Sequence, residues 1–331
     1  MSFSNRIPKA GARLIAAAAF GLASATVASA QTKWDMPTPY GDSNFHTQNI
    51  AQFAEDVAAK TDGSLTIQLH TAGSLVKHPE IKNAVRRGLA PIGEVLISRL
   101  SNEDPVFAVD SVPFMANSYD AAWKLYQASK PAVEEKLAEQ GLKLLYTVPW
   151  PPQGIYAKKE INSLDDMKGL KFRAYNTATE RLAQLAGAVP TQIEVSDIPT
   201  AFSTGRVDAM ITSPSTGANS KAWDFLTHYY DTQAWLPKNM VIVNQSAFDG
   251  LSEAEQAAVL EAAAEAETRG WEASKAETES QTAILAENGI TVSAPSATLQ
   301  AEMEAIGETM VGEWEAEAGE QGAAIVRAYS N

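Results

Sequence analysis

From Ser252 to Asn288 the chain runs through Ala, Glu and other strong helix formers with no proline. Ser252 and Glu255 stand at capping-box spacing, and Asn288-Gly289 is a stop signal. A helix over this whole stretch would be roughly 50 Å long at about 1.5 Å per residue. That exceeds the width of one small domain, so the helix must brace a larger body. Gly270 leaves the alternative of two helices broken at that point, because glycine costs about 1 kcal/mol in a helix interior.

Ahead of this helix, strand and helix patterns alternate. Thr32 to Met36 reads as a strand, followed by a helical apolar face at Phe45, Ile50, Phe53 and Val57. "GSLTIQLH" alternates as a strand does. A helix from Pro79 to Arg87, an apolar run around Gly93 to Ile97, a helix from Tyr119 to Gln140 and the strand "LKLLYTVPW" complete a first stretch. After the stiff Pro149-Trp150-Pro151-Pro152 segment the plan repeats. "GIYAKKEI" and "KGLKFRAY" are extended, Thr177 and Glu180 stand as a capping box, and Leu182, Leu185 and Ala186 form a buried face. "AVPTQIE", a helix at Ile198 to Thr204 and "GRVDAMIT" follow. Ile81, Ala84 and Gly88 recur in spacing as Ile198, Ala201 and Gly205, a faint repeat of a helix–Gly–strand unit. "NMVIVNQSAF" is a strand, and short helices end the chain. The pattern is α/β and, at this length, two domains.

The first thirty residues stand apart. Arg6, Lys9 and Arg13 precede an apolar stretch from Leu14 to Val27 and a small-residue site at Ala28-Ser29-Ala30. This is the layout of a cleaved export signal. Without these three cations the charge is 23 − 40 = −17, from 26 Lys and Arg and 40 Asp and Glu in the full chain. So acidic a surface disfavours nucleic acid and anionic membranes. Export without a single cysteine implies a core that needs no disulfides, and a bacterial periplasm.

Signatures of catalysis and metal binding are absent. His46, His70, His78 and His228 are scattered, and no HExxH, GxSxG, P-loop or GxGxxG occurs. This favours a binder without cofactor over an enzyme. Arg173 is the candidate site residue: it lies at the carboxyl end of an expected parallel strand, just ahead of a helix N-terminus, where open α/β sheets bind ligands. Its fork suits a carboxylate, although most arginines are solvated surface charges. Trp150, Tyr175 and Trp235 lie near expected domain crossovers, where aromatic side chains pack domains together or line ligand sites.

The stretch "INSLDDMKGLKFRAYNTATERLAQLAGAVPTQIEVSDIPTAFSTGRVDAMITSP" resembles the substrate-binding proteins of tripartite ATP-independent periplasmic (TRAP) transporters. Gly169, Leu170, Lys171, Arg173, Asn176, Gly187, Pro190, Val207 and Asp208 carry the resemblance, and "GSLTIQLHTAGSL", "FAVDSVPFMANS" and "GLSEAEQAAVLEAAAEA" extend it along the chain. It implies a two-domain periplasmic-binding-protein fold with hinge strands and a long spanning helix. Domain I would comprise 31–150 with about 239–275, and domain II 151–238 with about 276–331, the ligand lying between them. It further implies capture of a small organic anion by domain closure and delivery to small and large permease subunits; a monomer without cofactor is expected. Arg173 matches the family's anion clamp. Asn176, Thr212, Ser213 and Glu94 fall at or near other contact positions. One departure stands out: Gln153 occupies the place of a second Arg found in many sugar-acid binders. Gln supplies no charge, so one anionic group is expected on the ligand, with Trp150, Tyr156 and Tyr175 shaping the rest. Presentation of the ligand to a sensor protein and a periplasmic enzyme acting on a small acid are the alternatives.

Overall fold

The structure, a computed structural model, describes residues 1–4 and 31–331; the segment read as an export signal, 5–30, lies outside the described residues. In chain order the strands are β1 (Thr32–Pro37), β2 (Leu65–His70), β3 (Ile92–Leu96), β4 (Leu142–Pro149), β5 (Gly154–Ala157), β6 (Lys171–Ala174), β7 (Val189–Gln192), β8 (Ala209–Thr212), β9 (His228–Tyr230), β10 (Lys238–Asn244) and β11 (Thr291–Ser293). The helices are α1 (Phe45–Lys60), α2 (Ile81–Arg86), α3 (Tyr119–Ala138), α4 (Thr177–Leu185), α5 (Ile198–Ser203), α6 (Pro214–Asn219), α7 (Gln245–Asp249), α8 (Glu253–Glu287) and α9 (Ala297–Ser330).

Two central sheets organise the molecule. One is three-stranded, in the order β3-β10-β4, and the other six-stranded, in the order β11-β9-β5-β8-β6-β7; β1 and β2 form a separate parallel pair. Successive side chains of a strand point to opposite faces, and both faces of each central sheet are covered. In β10, Met240 and Ile242 enter a core with α3, whereas Val241 and Val243 enter another with α1 and α8. In the larger sheet, Ile155, Ala157, Ala209 and Ile211 face α4 and α9, whereas Tyr156 and Met210 face α5. This explains why these strands read as nearly continuous apolar runs. The register shifts between Val241 and Ile242 against β4, skipping Leu145, a bulge that turns Leu145 and Tyr146 into the same core.

The faint repeat is structural. In each unit a short helix, α2 or α5, ends at a glycine with positive φ, Gly88 at 70° and Gly205 at 68°, and a buried strand follows.

The long helix is continuous. Ser252 and Glu255 cap α8 reciprocally, and the helix passes through Gly270 unbroken. Glycine is needed there for contact. A Cβ at this position would lie 2.3 Å from Cγ2 of Val148 and 2.7 Å from Nδ2 of Asn49. We expect Gly270→Ala to destabilise the protein despite the better helix propensity of alanine, by about 1–3 kcal/mol of overpacking, or a melting temperature lower by roughly 5 °C. A melt at or above the wild-type value would refute this tight approach of α8 to β4.

Three local expectations are corrected. The box that opens α4 is formed by Asn176 and Thr179, not by Thr177 and Glu180; the asparagine carbonyl reaches the free N–H of Thr179 at 2.9 Å. Residues 245–249 leave the strand pattern as α7, capped by Asn244. The chain ends in a long helix and a short one rather than in short helices alone: α9 spans 34 residues and breaks at Gly319, whose φ of 55° and ψ of −135° are not helical. Its first turns join the core of the six-stranded sheet through Leu299 and Met303, and Trp314 and Ile325 pack into the core under α3. Element α9 thus serves both cores.

Candidate functional site

Strands β6, β7 and β8 run parallel, so their carboxyl ends share one edge, the usual place for a ligand in such sheets. Each end contributes to one cavity: Arg173 and Tyr175 from β6, Glu194 and Val195 after β7, Thr212 and Ser213 at β8. β5 is antiparallel to β8, pairing Gly154 with Thr212, which brings Gln153 to the same edge. The opposite wall comes from Tyr40 in the loop after β1, His78 beyond β2, and Leu96 and Arg99 at and after the end of β3. Trp150 and Pro237 form the floor, where the two crossover segments are tied by Trp150 N–H to Pro237 C=O at 2.8 Å and Gln153 N–H to Trp235 C=O at 3.0 Å. Free space in the cavity, the open mouth included, is about 440 Å³.

Arg173 is the central group. It is 3% exposed. Its Nε–H donates to the Ile193 carbonyl at 3.0 Å, and its guanidinium carbon lies 5.0 Å from the centre of the Tyr175 ring. Among the described residues no carboxylate lies within ion-pair distance of it. Burial pulls its pKa down to about 10, which leaves it a full cation at neutral pH. A buried cation without a counter-ion is costly, and the remaining N–H groups of its fork are available to an anion.

The neighbouring side chains are positioned with little slack. Tyr175 donates its hydroxyl to Oε1 of Gln153 at 3.1 Å, and Nε2 of Gln153 donates to the Pro151 carbonyl at 2.9 Å. Gln153 therefore aims the tyrosine. Ser213 caps α6, its Oγ accepting from Thr216 N–H at 3.0 Å. Thr212 makes no side-chain hydrogen bond to the described residues, which leaves its hydroxyl available. Trp150 is held by Nε1–H to Oδ1 of Asn239 at 3.0 Å and packs edge-on to Tyr40, centroids 5.0 Å apart.

Of the residues singled out from sequence, the cavity brings together Arg173, Gln153, Trp150, Tyr175, Thr212 and Ser213. Trp235 is buried outside it, and three more lie elsewhere. Asn176 caps α4 and donates Nδ2–H to Ser98 Oγ at 2.8 Å. Tyr156 is wholly buried on the far face of β5, donating to the Ser213 carbonyl at 3.1 Å. Glu94 is 1% exposed and sits behind the wall, accepting from Asn239 Nδ2–H at 2.7 Å. Asn239 in turn accepts from Trp150 and from the Tyr40 hydroxyl, so Glu94 reaches the cavity only through this amide. His46 Nδ1 is 3.8 Å from Glu94. Burial drives both groups neutral, lifting the Glu94 pKa to about 8 and holding that of His46 well below its usual value.

Sequence reasoning missed Arg99 and Glu194. Arg99 follows the end of β3 and Glu194 the end of β7, the positions that singled out Arg173. They form a forked ion pair across the mouth, Nη2 to Oε1 at 2.9 Å and Nη1 to Oε2 at 3.4 Å. A second cation is thus present in the cavity, although not at position 153, and it is already neutralised.

The family model for bacterial extracellular solute-binding proteins, family 7, matches residues 39–317. Among solved structures, DctP7 of Bordetella pertussis, an extracytoplasmic solute receptor binding pyroglutamic acid, is 47% identical, covering 91% of this chain and all of that one, with a TM-score of 0.90. DctP6 of the same organism, also binding pyroglutamic acid, is 46% identical over 90% of this chain and 99% of its own, with a TM-score of 0.89. A marine metagenome TRAP solute-binding protein specific for pyroglutamate is 42% identical, covers 91% of this chain and 99% of its own, and has a TM-score of 0.89. With a two-domain α/β fold and a family match over most of its length, the chain belongs to bacterial extracellular solute-binding protein family 7, the TRAP solute-binding proteins.

Proposed function

We propose that this protein is a periplasmic receptor that captures pyroglutamate, or a compact monocarboxylic acid of similar size, and delivers it to a TRAP-type permease driven by an ion gradient. The observation that carries this reading is Arg173, a buried cation with no acidic partner among the described residues, facing a cavity walled by Tyr40, Trp150 and Tyr175. In our reading Arg173 clamps the carboxylate, Thr212 adds a hydroxyl, and the aromatic walls take the flat remainder of the ligand. Relatives more than 40% identical that bind pyroglutamate support the choice of acid.

Affinity cannot rest on the clamp alone. A charge-assisted hydrogen bond contributes about 1.5–3 kcal/mol, whereas micromolar binding needs about 8 kcal/mol. The balance must come from contacts completed when the two sides close on the ligand. Asn176 to Ser98 at 2.8 Å, Thr177 to Ser101 at 2.6 Å and Glu194 to Arg99 bridge the two walls and would form on closure.

Calorimetry of residues 31–331 with pyroglutamate tests the reading. We expect saturable binding, and stabilisation of about 2.7 kcal/mol at ligand one hundred times above Kd. Absence of heat and of any melting shift with pyroglutamate would exclude it as the ligand. Consumption of the bound acid would instead favour an enzyme.

A further inference from the structure

We propose that Glu194 is a charge filter that restricts this cavity to ligands with one anionic group. The inference rests on the reading of the cavity as a monocarboxylate site. Four ionisable side chains other than tyrosines line it: Arg99, Arg173, Glu194 and His78. His78 accepts from the Leu96 backbone N–H through Nε2 at 3.4 Å, so its proton sits on Nδ1, which faces Glu194 at 3.8 Å. Burial and the neighbouring Arg99 hold the ring pKa down at about 3, and His78 is neutral. The side-chain charges then add to two positive and one negative, leaving a single positive charge for the ligand.

Position turns this sum into selectivity. Arg173 lies deep and has no acidic partner among the described residues. Arg99 gives its fork to Glu194 and a third N–H contact to the Tyr175 carbonyl at 3.3 Å, so it offers little to a second carboxylate. A dianion would have one carboxylate neutralised by Arg173 and the other beside Glu194 at the mouth, where that side chain is 37% exposed and water screens the repulsion only in part. Leaving a second ligand carboxylate unpaired and beside a like charge is a common means of specificity. Gln153, the uncharged residue at the other end of the wall, is occupied with Tyr175 and supplies no cation to offset it.

The test compares pyroglutamate with glutarate, an open five-carbon dianion, by calorimetry on the wild-type protein, Glu194→Gln and the double variant Arg99→Met/Glu194→Gln. In Glu194→Gln the affinity ratio of glutarate to pyroglutamate should rise about tenfold or more, because Arg99 is released and the repulsion removed. In the double variant, where the charge sum returns to one, the ratio should fall back toward wild type. A ratio unchanged in Glu194→Gln, with both ligands weakened together, would show Glu194 to be a closing contact only and overturn the filter. If the wild type binds no pyroglutamate but Glu194→Gln gains glutarate, the filter stands and the assigned ligand falls. Binding of neither probe by any of the three proteins overturns both.

Discussion

Replacing Arg173 by methionine should abolish ligand binding and, at the same time, raise the melting temperature of the unliganded protein. The two effects share one cause. With the two walls in contact, as here, Arg173 is 3% exposed and its guanidinium spends one N–H on the Ile193 carbonyl, but among the described residues no carboxylate pairs with it. Exchange of a buried ionic group for an apolar side chain of similar volume is often neutral or stabilising, by about 1–4 kcal/mol. Loss of the Ile193 contact and of the stacking on Tyr175 sets against this, so a net gain of about 1 kcal/mol is expected. On the ligand side, truncating one partner of a buried charge pair costs about 2–5 kcal/mol, a fall in affinity on the order of a hundredfold or more. Calorimetry with pyroglutamate reads the second effect and thermal melts without ligand read the first. A variant that melts well below wild type would make Arg173 a structural residue; one that binds as before would remove it from the site. Arg173→Lys separates charge from shape: it keeps the cation and loses the planar fork, and should recover only part of the affinity.

Legibility of the fold followed the strength of the local signal. The capping box at Ser252 and Glu255 and the long Ala/Glu run specify α8 almost residue by residue. Nearly continuous apolar runs locate the central strands, because each deals its side chains into two cores. The opening of α4 was misplaced by one residue, since Asn176 and Thr177 are both good caps and the choice depends on which side chain reaches Thr179. Gly270 could not be resolved from sequence: the cost of a helical glycine is visible there, and the Val148 side chain that makes it necessary is 122 positions away in the chain. Arg173 was legible because strand end, cation and cap coincide. Glu94 was not placed correctly, because alternation in a strand buried on both faces does not say which face opens to a ligand. The pairing of Arg99 with Glu194 spans 95 residues of sequence and closes only when the two walls meet.

The misplaced Glu94 yields the second large expectation. Its carboxyl is raised from the usual 4.5 up to about 8, chiefly by burial and against the opposing pull of the Asn239 hydrogen bond. One of its oxygens, Oε2, has no partner among the described residues, nor has Nε2 of His46. A carboxyl held neutral in the native state but free to ionise in the unfolded chain makes stability depend on pH in a defined direction. Below about pH 4.5 both states carry the proton and nothing is lost. Between 4.5 and 8 the unfolded state ionises and the native state does not, so stability falls as pH rises, by on the order of 4 kcal/mol in total. Above 8 the native carboxyl ionises too, and the decline stops. Glu94→Gln mimics the protonated acid, keeps an acceptor for Asn239, and cannot ionise. Its stability should match wild type near pH 4.5 and exceed it by a few kcal/mol near pH 8, read from denaturant unfolding at both values. Ligand binding supplies an independent readout. An ionised Glu94 would place a negative charge behind Asn239, Tyr40 and Trp150, close to an anionic ligand, so wild-type affinity should weaken above pH 8 while Glu94→Gln holds its affinity there. Parallel stability curves for the two proteins across this range would mean that Glu94 is ionised throughout, and that the amide bridge from Asn239 to Trp150 is organised by a charge and not by a neutral acid.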